Sequence, residues 1–190
     1  MSASAPGGDA PEERLNLARV VVLLVEPNVA EQDLLVQMLT GFGVRNVRRC
    51  QDTLEARSAL ATLDVGLIVL DASAPDGRAY DFVAWLRREA PDSRRFLPVL
   101  MLKGHVQASQ VRRARDCGAN FVIAKPISAR VLLDRISWLG SEPRGFLAIE
   151  GGYAGPDRRF RTDGPPPGAQ GRRKEDAPAD PAHSLGPDMA

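Results

Sequence analysis

Cysteine, histidine and charge of one sign are all scarce in this chain, and each scarcity removes a class of function. The two cysteines, Cys50 and Cys117, lie far apart and in no metal-type spacing. That excludes a zinc framework or a disulfide scaffold and leaves two isolated, reduced thiols. Of the two histidines, His105 follows Lys103 and reads as a plain loop residue, and His183 lies in the tail. Lys and Arg number 25 against 24 Asp and Glu, a formal net charge of +1, so there is no whole-molecule field to draw in nucleic acid or an anionic membrane surface. No apolar run reaches the ~18 residues of a membrane span, and the opening MSASAPGGDAPEER has no apolar signal core. A soluble, cytoplasmic protein is expected.

What is present divides by composition. Residues 1–17 are rich in Ala, Pro, Gly and acid, with little to bury. Residues 18–140 alternate apolar runs with amphipathic segments and suffice for one domain of about 100–150 residues. Residues 141–190 hold eight Gly and eight Pro with few aliphatics. Such a tail cannot offset its ordering entropy, so it is expected to be largely disordered.

In the middle segment, continuous β-branched runs give strands at 19–25, 47–50, 65–71, 97–103 and 120–126. Helical spacing falls at 29–43, 53–63, 79–90, 106–119 and 128–140, with Thr53 and Ser128 as expected caps and Gly43, Gly118 and Gly140 as stops. Five strands alternating with five helices imply α/β architecture: a doubly wound parallel five-stranded sheet with right-handed crossovers. Ligands of such sheets bind at the carboxyl ends of the strands. There stand Glu26, Asp71, Lys103 and Lys125, four ionisable residues ending four buried strands.

The stretches VVLLVEPN, LIVLDASAPDG, LPVLMLKGH and GANFVIAKP, in this order and spacing, resemble the receiver domain of two-component response regulators (a flavodoxin-like fold) over residues 18–140. The resemblance implies that Asp71 is the phosphoacceptor position, Lys125 the lysine that holds the phosphoryl group, and the Lys125–Pro126 peptide cis. It implies Mg²⁺ held by Glu26 and Asp71. It also implies a histidine kinase or phosphotransfer protein as donor and a downstream protein target. No enzymatic activity of its own is expected. A homodimer through the fourth helix, fifth strand and fifth helix is a further implied partner, and the fourth helix carries Arg112, Arg113 and Arg115.

Three positions depart from that pattern. Pro27 stands where the acid that touches the metal directly would be, Lys103 at the switch Ser/Thr position, and Val122 at the aromatic switch position. Proline offers neither carboxylate nor backbone donor, so weak Mg²⁺ binding and slow or absent phosphorylation are expected. Two acids against two lysines sum to zero, and buried charge must be balanced. Lys103 is therefore expected to stand in for the metal charge and pair with Asp71, the alternative being that it points to solvent.

The tail carries Arg158, Arg159 and Arg161 around Phe160, then Arg172, Arg173 and Lys174. Arg forks grip phosphate, and this composition resembles the Arg-rich extensions of receiver-like proteins that bind cyclic di-GMP. Seven basic residues against eight acids from residue 141 onward argue against nucleic acid. Three readings follow: a degenerate receiver acting through protein contacts, a working phosphoacceptor, and a cyclic di-GMP effector.

Overall fold

The computed structural model describes residues 16–73, 78–104, 108–141, 145–148 and 153–157. After a 3₁₀ turn (Leu17–Arg19) the elements run β1 (Val21–Val25), α1 (Val29–Gly41), β2 (Asn46–Cys50), α2 (Thr53–Thr62), β3 (Leu67–Asp71), α3 (Ala79–Arg88) and the short α4 (Asp92–Arg95). They continue with β4 (Val99–Lys103), α5 (Ala108–Cys117), β5 (Phe121–Ala124), α6 (Ala129–Ser141), β6 (Phe146–Ala148) and β7 (Ala154–Pro156). The first five strands form one parallel sheet of order β2-β1-β3-β4-β5. This is the expected doubly wound fold, with α5 and α6 as the fourth and fifth helices of the sequence reading.

Alternation along each strand sorts the core into two layers. Leu23, Val25, Ile68, Leu70, Val99 and Met101 face α2, α3 and α5. Val22, Leu24, Leu67, Val69, Leu100, Leu102 and Ile123 face α1 and α6. Both faces are covered, which is why β1, β3 and β4 read as unbroken apolar runs. Gly118 closes α5 with φ of +99°, where a side chain would be strained. At α2 the cap is Asp52 rather than Thr53: its Oδ1 accepts from the Leu54 and Glu55 N–H groups at 2.9 and 2.8 Å. Ser128 does cap α6, its Oγ accepting from Val131 N–H.

The expected disordered tail from residue 141 is corrected at its start. α6 runs on through Ser141, and β6 and β7 pair antiparallel, Phe146 opposite Pro156 and Ala148 opposite Ala154. The Asp157 N–H closes this hairpin on the Gly145 carbonyl at 2.7 Å. A Cβ on Gly118 would lie 2.5 Å from the Ala154 carbonyl oxygen, and one on Gly155 would lie 2.8 Å from Gly118 Cα. Two glycines thus let the hairpin meet the end of α5 backbone to backbone.

Beneath the hairpin lies Arg87 of α3, only 2% exposed. Its guanidinium donates to the carbonyls of Gly118 (3.0 Å) and Arg95 (2.8 Å) and to Asn120 Oδ1 (3.1 Å). The Phe146 ring covers it at 4.9 Å and packs edge-on against Phe96. The first unit of the chain ends at Asp157, and the second, from Arg158 to Ala190, lies outside the described residues.

Candidate functional site: an acidic cluster around Lys125

The pleat that sorts the core also sorts the strand ends. Glu26 follows Val22 and Leu24 in phase, Asp71 follows Leu67 and Val69, and Lys125 follows Ile123. All three therefore belong to the face of α1 and α6. Glu26 and Asp71 are 1% and 3% exposed, an environment no carboxylate tolerates without partners. Lys125 supplies them. Its ammonium donates to Glu26 Oε2 at 2.9 Å, and to Asp71 and Glu31. The peptide to Pro126 is cis, as the resemblance implied.

Backbone groups complete the cluster. Asn28 N–H donates to Glu26 Oε1 at 3.0 Å, and Ser73 N–H donates to Asp71. Asn28 also caps α1, its Oδ1 accepting from the Ala30 and Glu31 N–H groups. Gln32, buried one residue further on, donates from Nε2 to the carbonyls of Glu26 (3.1 Å) and Cys50 (3.3 Å). The first turn of α1 is thereby fixed to the ends of β1 and β2.

The charges respond to this geometry in different directions. Burial pushes the Glu26 carboxyl above its usual value, against the hydrogen bonds from Lys125 and Asn28, and the neighbouring Asp71 adds to the rise. Burial also acts on Asp71, but the hydrogen bonds from Lys125 and the Ser73 N–H outweigh it and hold that carboxyl below its usual range. Burial alone would lower Lys125, yet its bonds to Asp71, Glu31 and Glu26 keep the ammonium well above the ordinary lysine value. At neutral pH the site therefore holds an ionised Asp71 against a firmly protonated lysine.

Lys103 is not part of this cluster, and its expected pairing with Asp71 is corrected. It follows Val99 and Met101 in phase, so its side chain leaves the sheet on the face of α3 and α5. Its ammonium stands 6.0 Å from the centre of the Tyr80 ring, over which Arg113 of α5 also lies, at 4.4 Å. Among the described residues no carboxylate pairs with Lys103. Only its backbone touches the site, its carbonyl accepting from Lys125 N–H at 2.8 Å. Among the described residues, the one cation bonded to the cluster is Lys125. Arg158, Arg159, Arg161, Arg172 and Arg173 lie outside the described residues, so the anion-binding arm gains no structural support, and His105 is outside them too.

The residue that the sequence reading missed is Glu31. Its carboxylate and those of Glu26 and Asp71 offer oxygens within 4.8 Å of one another, a spacing that can hold a metal ion. A signal existed: Asn28 followed three residues later by Glu31 is a capping-box pattern. In a capping box the glutamate would reach back to the Asn28 N–H. Glu26 already accepts that N–H, which leaves Glu31 to turn toward Lys125. Beside it, Leu34, Met38, Pro126 and Ile127 line an apolar groove of about 470 Å³ that opens next to Lys125.

The donor set suits the metal the fold implies. Carboxylate oxygens are what a hard divalent cation takes, and three carboxyl groups here face a single ammonium. Pro27 offers no carboxylate at the end of β1, and the third acid of the cluster is Glu31 of α1.

Comparison with known proteins agrees with this geometry. Residues 22–137 match the family described as "Response regulator receiver domain". Chemotaxis protein CheY-3 of Vibrio cholerae is 26% identical over 115 residues, covering 60% of this chain and 87% of that protein. Transcriptional regulatory protein PdtaR of Mycobacterium tuberculosis is 28% identical over 141 residues, covering 74% of this chain and 66% of that one. Among solved structures, a putative response regulator from Chloroflexus aurantiacus superposes with a TM-score of 0.60 at 24% identity, covering 65% of this chain and 98% of its own. That last likeness speaks for the fold alone. With the sheet order, the acid-tipped strands and the Lys125–Pro126 cis peptide in place, the chain belongs to the response regulator receiver domain family of two-component signalling.

Proposed function

We propose that the chain is a working phosphoacceptor whose acceptor is Asp71, not a receiver that has lost its chemistry. The observation that carries this reading is the Lys125 ammonium, bonded at once to Asp71 and Glu26 at the carboxyl end of the central strand β3. Asp71 is held ionised and in reach of a cation, as a carboxylate nucleophile must be. An oxygen of Asp71 attacks the phosphorus of a phosphohistidine on the donor protein. The P–N bond breaks, the electron pair stays with the imidazole, and an acyl phosphate remains on Asp71. Lys125 then turns its ammonium to a phosphoryl oxygen. A divalent cation held by Glu26, Asp71 and Glu31 would neutralise the phosphoryl oxygens. The apolar groove beside Lys125, with Leu34 half exposed on its rim, offers a contact for the donor. In this reading the chain accepts a group and is not an enzyme.

Pro27, Lys103 and Val122 favour a second reading, a constitutive interaction module, because two of them remove the hydroxyl and aromatic ring of the family's switch. One experiment separates the two. The full chain is incubated with acetyl phosphate or phosphoramidate and Mg²⁺, and its intact mass is measured. Gain of one phosphoryl group in the wild type and none in Asp71→Asn supports the phosphoacceptor. An unmodified wild type alongside a phosphorylated control receiver would leave the second reading.

A further inference from the structure

Three features isolate Glu31 from the ordinary duties of a helix-start glutamate. Its usual partner, the N–H of the capping residue Asn28, is occupied by Glu26. Its backbone is fixed by the Asn28 cap and, one residue on, by the buried Gln32 amide that ties α1 to β1 and β2. Its carboxylate, on the more open side of the cluster, lies within 4.8 Å of those of Glu26 and Asp71.

The acid missing from position 27 cannot be replaced locally, because proline has neither carboxylate nor N–H. Glu31 lies one helical turn further along the chain, and its longer side chain spans the gap from α1 back to the strand ends. Three carboxyl groups face one ammonium, so acids outnumber cations around two buried acids. Such a surplus costs several kcal/mol unless a cation offsets it. Glu31 is 45% exposed where Glu26 is 1% exposed, so the cluster is dry on the strand side and wet on the helix side. A small hard cation that keeps part of its water shell suits that arrangement.

We propose that Glu31 is the replacement ligand: a divalent cation in this receiver is held by Glu26, Asp71 and Glu31, the third carboxylate coming from the first turn of α1 instead of the end of β1. The inference rests on the phosphoacceptor reading only for the kind of ion expected, and its test involves no phosphorylation. Glu31 already accepts from the Lys125 ammonium, and the competing role is that this bond is its whole task, with no contact to any ion.

Isothermal titration of the full chain with MgCl₂, repeated with MnCl₂ and followed by water-proton relaxation, separates these roles. Glu31→Gln keeps the size and a hydrogen-bonding oxygen. It should weaken cation binding by about tenfold or more, a typical loss when a metal site is disturbed at one residue. Pro27→Asp in the Glu31→Gln background should restore affinity by returning the strand-end acid. In a Lys125→Met background, Glu31→Gln should still weaken binding, because a ligand acts on the ion directly. Wild-type affinity in Glu31→Gln would overturn the proposal. So would a loss in Glu31→Gln that vanishes when Lys125 is already Met, since Glu31 would then act only through the lysine. A wild type that is phosphorylated and binds Mg²⁺ with no dependence on Glu31 would defeat this inference alone. A wild type that neither binds the ion nor accepts phosphate would defeat it together with the phosphoacceptor reading.

Discussion

Arg87 is a buried cation and Lys125 a half-buried one, at opposite ends of the same sheet, and they are satisfied by opposite means. Lys125, at the carboxyl ends of the strands, is ringed by Glu26, Glu31 and Asp71. Arg87, near the amino ends of β4 and β5, is held by two backbone carbonyls, an asparagine oxygen and an aromatic ring. Among the described residues no carboxylate pairs with it. Burial pulls its guanidinium down to about 10, still charged at neutral pH. Neutral dipoles fix a cation in place and ask nothing further of it. A surplus of anions leaves a site that can still take up positive charge, or release its lysine to a different anion. The first arrangement builds a domain; the second can carry chemistry.

The sharpest way to break the comparison is at Arg87. Arg87→Ala removes a large buried side chain and strands the Gly118 and Arg95 carbonyls, while Asn120 Oδ1 keeps its bond from Val99 N–H, so a loss of about 3–5 kcal/mol is expected in urea denaturation. The loss should come with detachment of the hairpin, seen as faster amide exchange at 146–148 and 154–156.

Lys125→Met is expected to cost less, about 2–4 kcal/mol at neutral pH, because it leaves Glu26 and Asp71 buried without their cation, although Glu31 is open to water. Its pH dependence has a definite sign. The folded value of Lys125 is raised above the ordinary 10.5. Its contribution to stability is therefore complete below about 10.5 and lost as pH rises through the folded value. Thermal unfolding of wild type and Lys125→Met should converge above that pH, and a constant gap between the two curves would show that the lysine's charge is not what holds the cluster.

The smallest effect belongs to Lys103. Its contact with Tyr80, at 6.0 Å, is at the outer reach of a cation–ring attraction. Lys103→Ala should change stability by no more than about 1 kcal/mol and leave Mg²⁺ affinity unchanged. A change like that of Lys125→Met would place Lys103 in the acidic cluster after all.

The contrast between the two lysines also shows what a sequence can carry. Glu26, Asp71 and Lys125 were legible because buried parallel strands make unmistakable apolar runs, and a charge that ends one stands out. The role of Lys103 was misread although the needed rule is elementary. Counting by twos from Val99 puts it on the other face of the sheet from the face that Asp71 shares with Leu67 and Val69. Glu31 went unnoticed because its place in a capping pattern gave it an adequate local purpose, and only the Glu26–Asn28 hydrogen bond shows that purpose to be filled. The β6–β7 hairpin was hidden by composition. Glycine and proline usually argue against order, yet Gly155 is there because nothing larger clears Gly118.

That glycine pair also decides where the chain can be cut. Helical periodicity stops at Gly140, and a shortened protein ending there would look complete by the usual count of five strands and five helices. It would lack the Phe146 ring that lies over Arg87 and the Ala154 carbonyl that meets Gly118, exposing to solvent a guanidinium placed for an interior. A shortened chain that keeps this receiver whole therefore ends no earlier than Asp157, so that the β6–β7 hairpin stays with the domain.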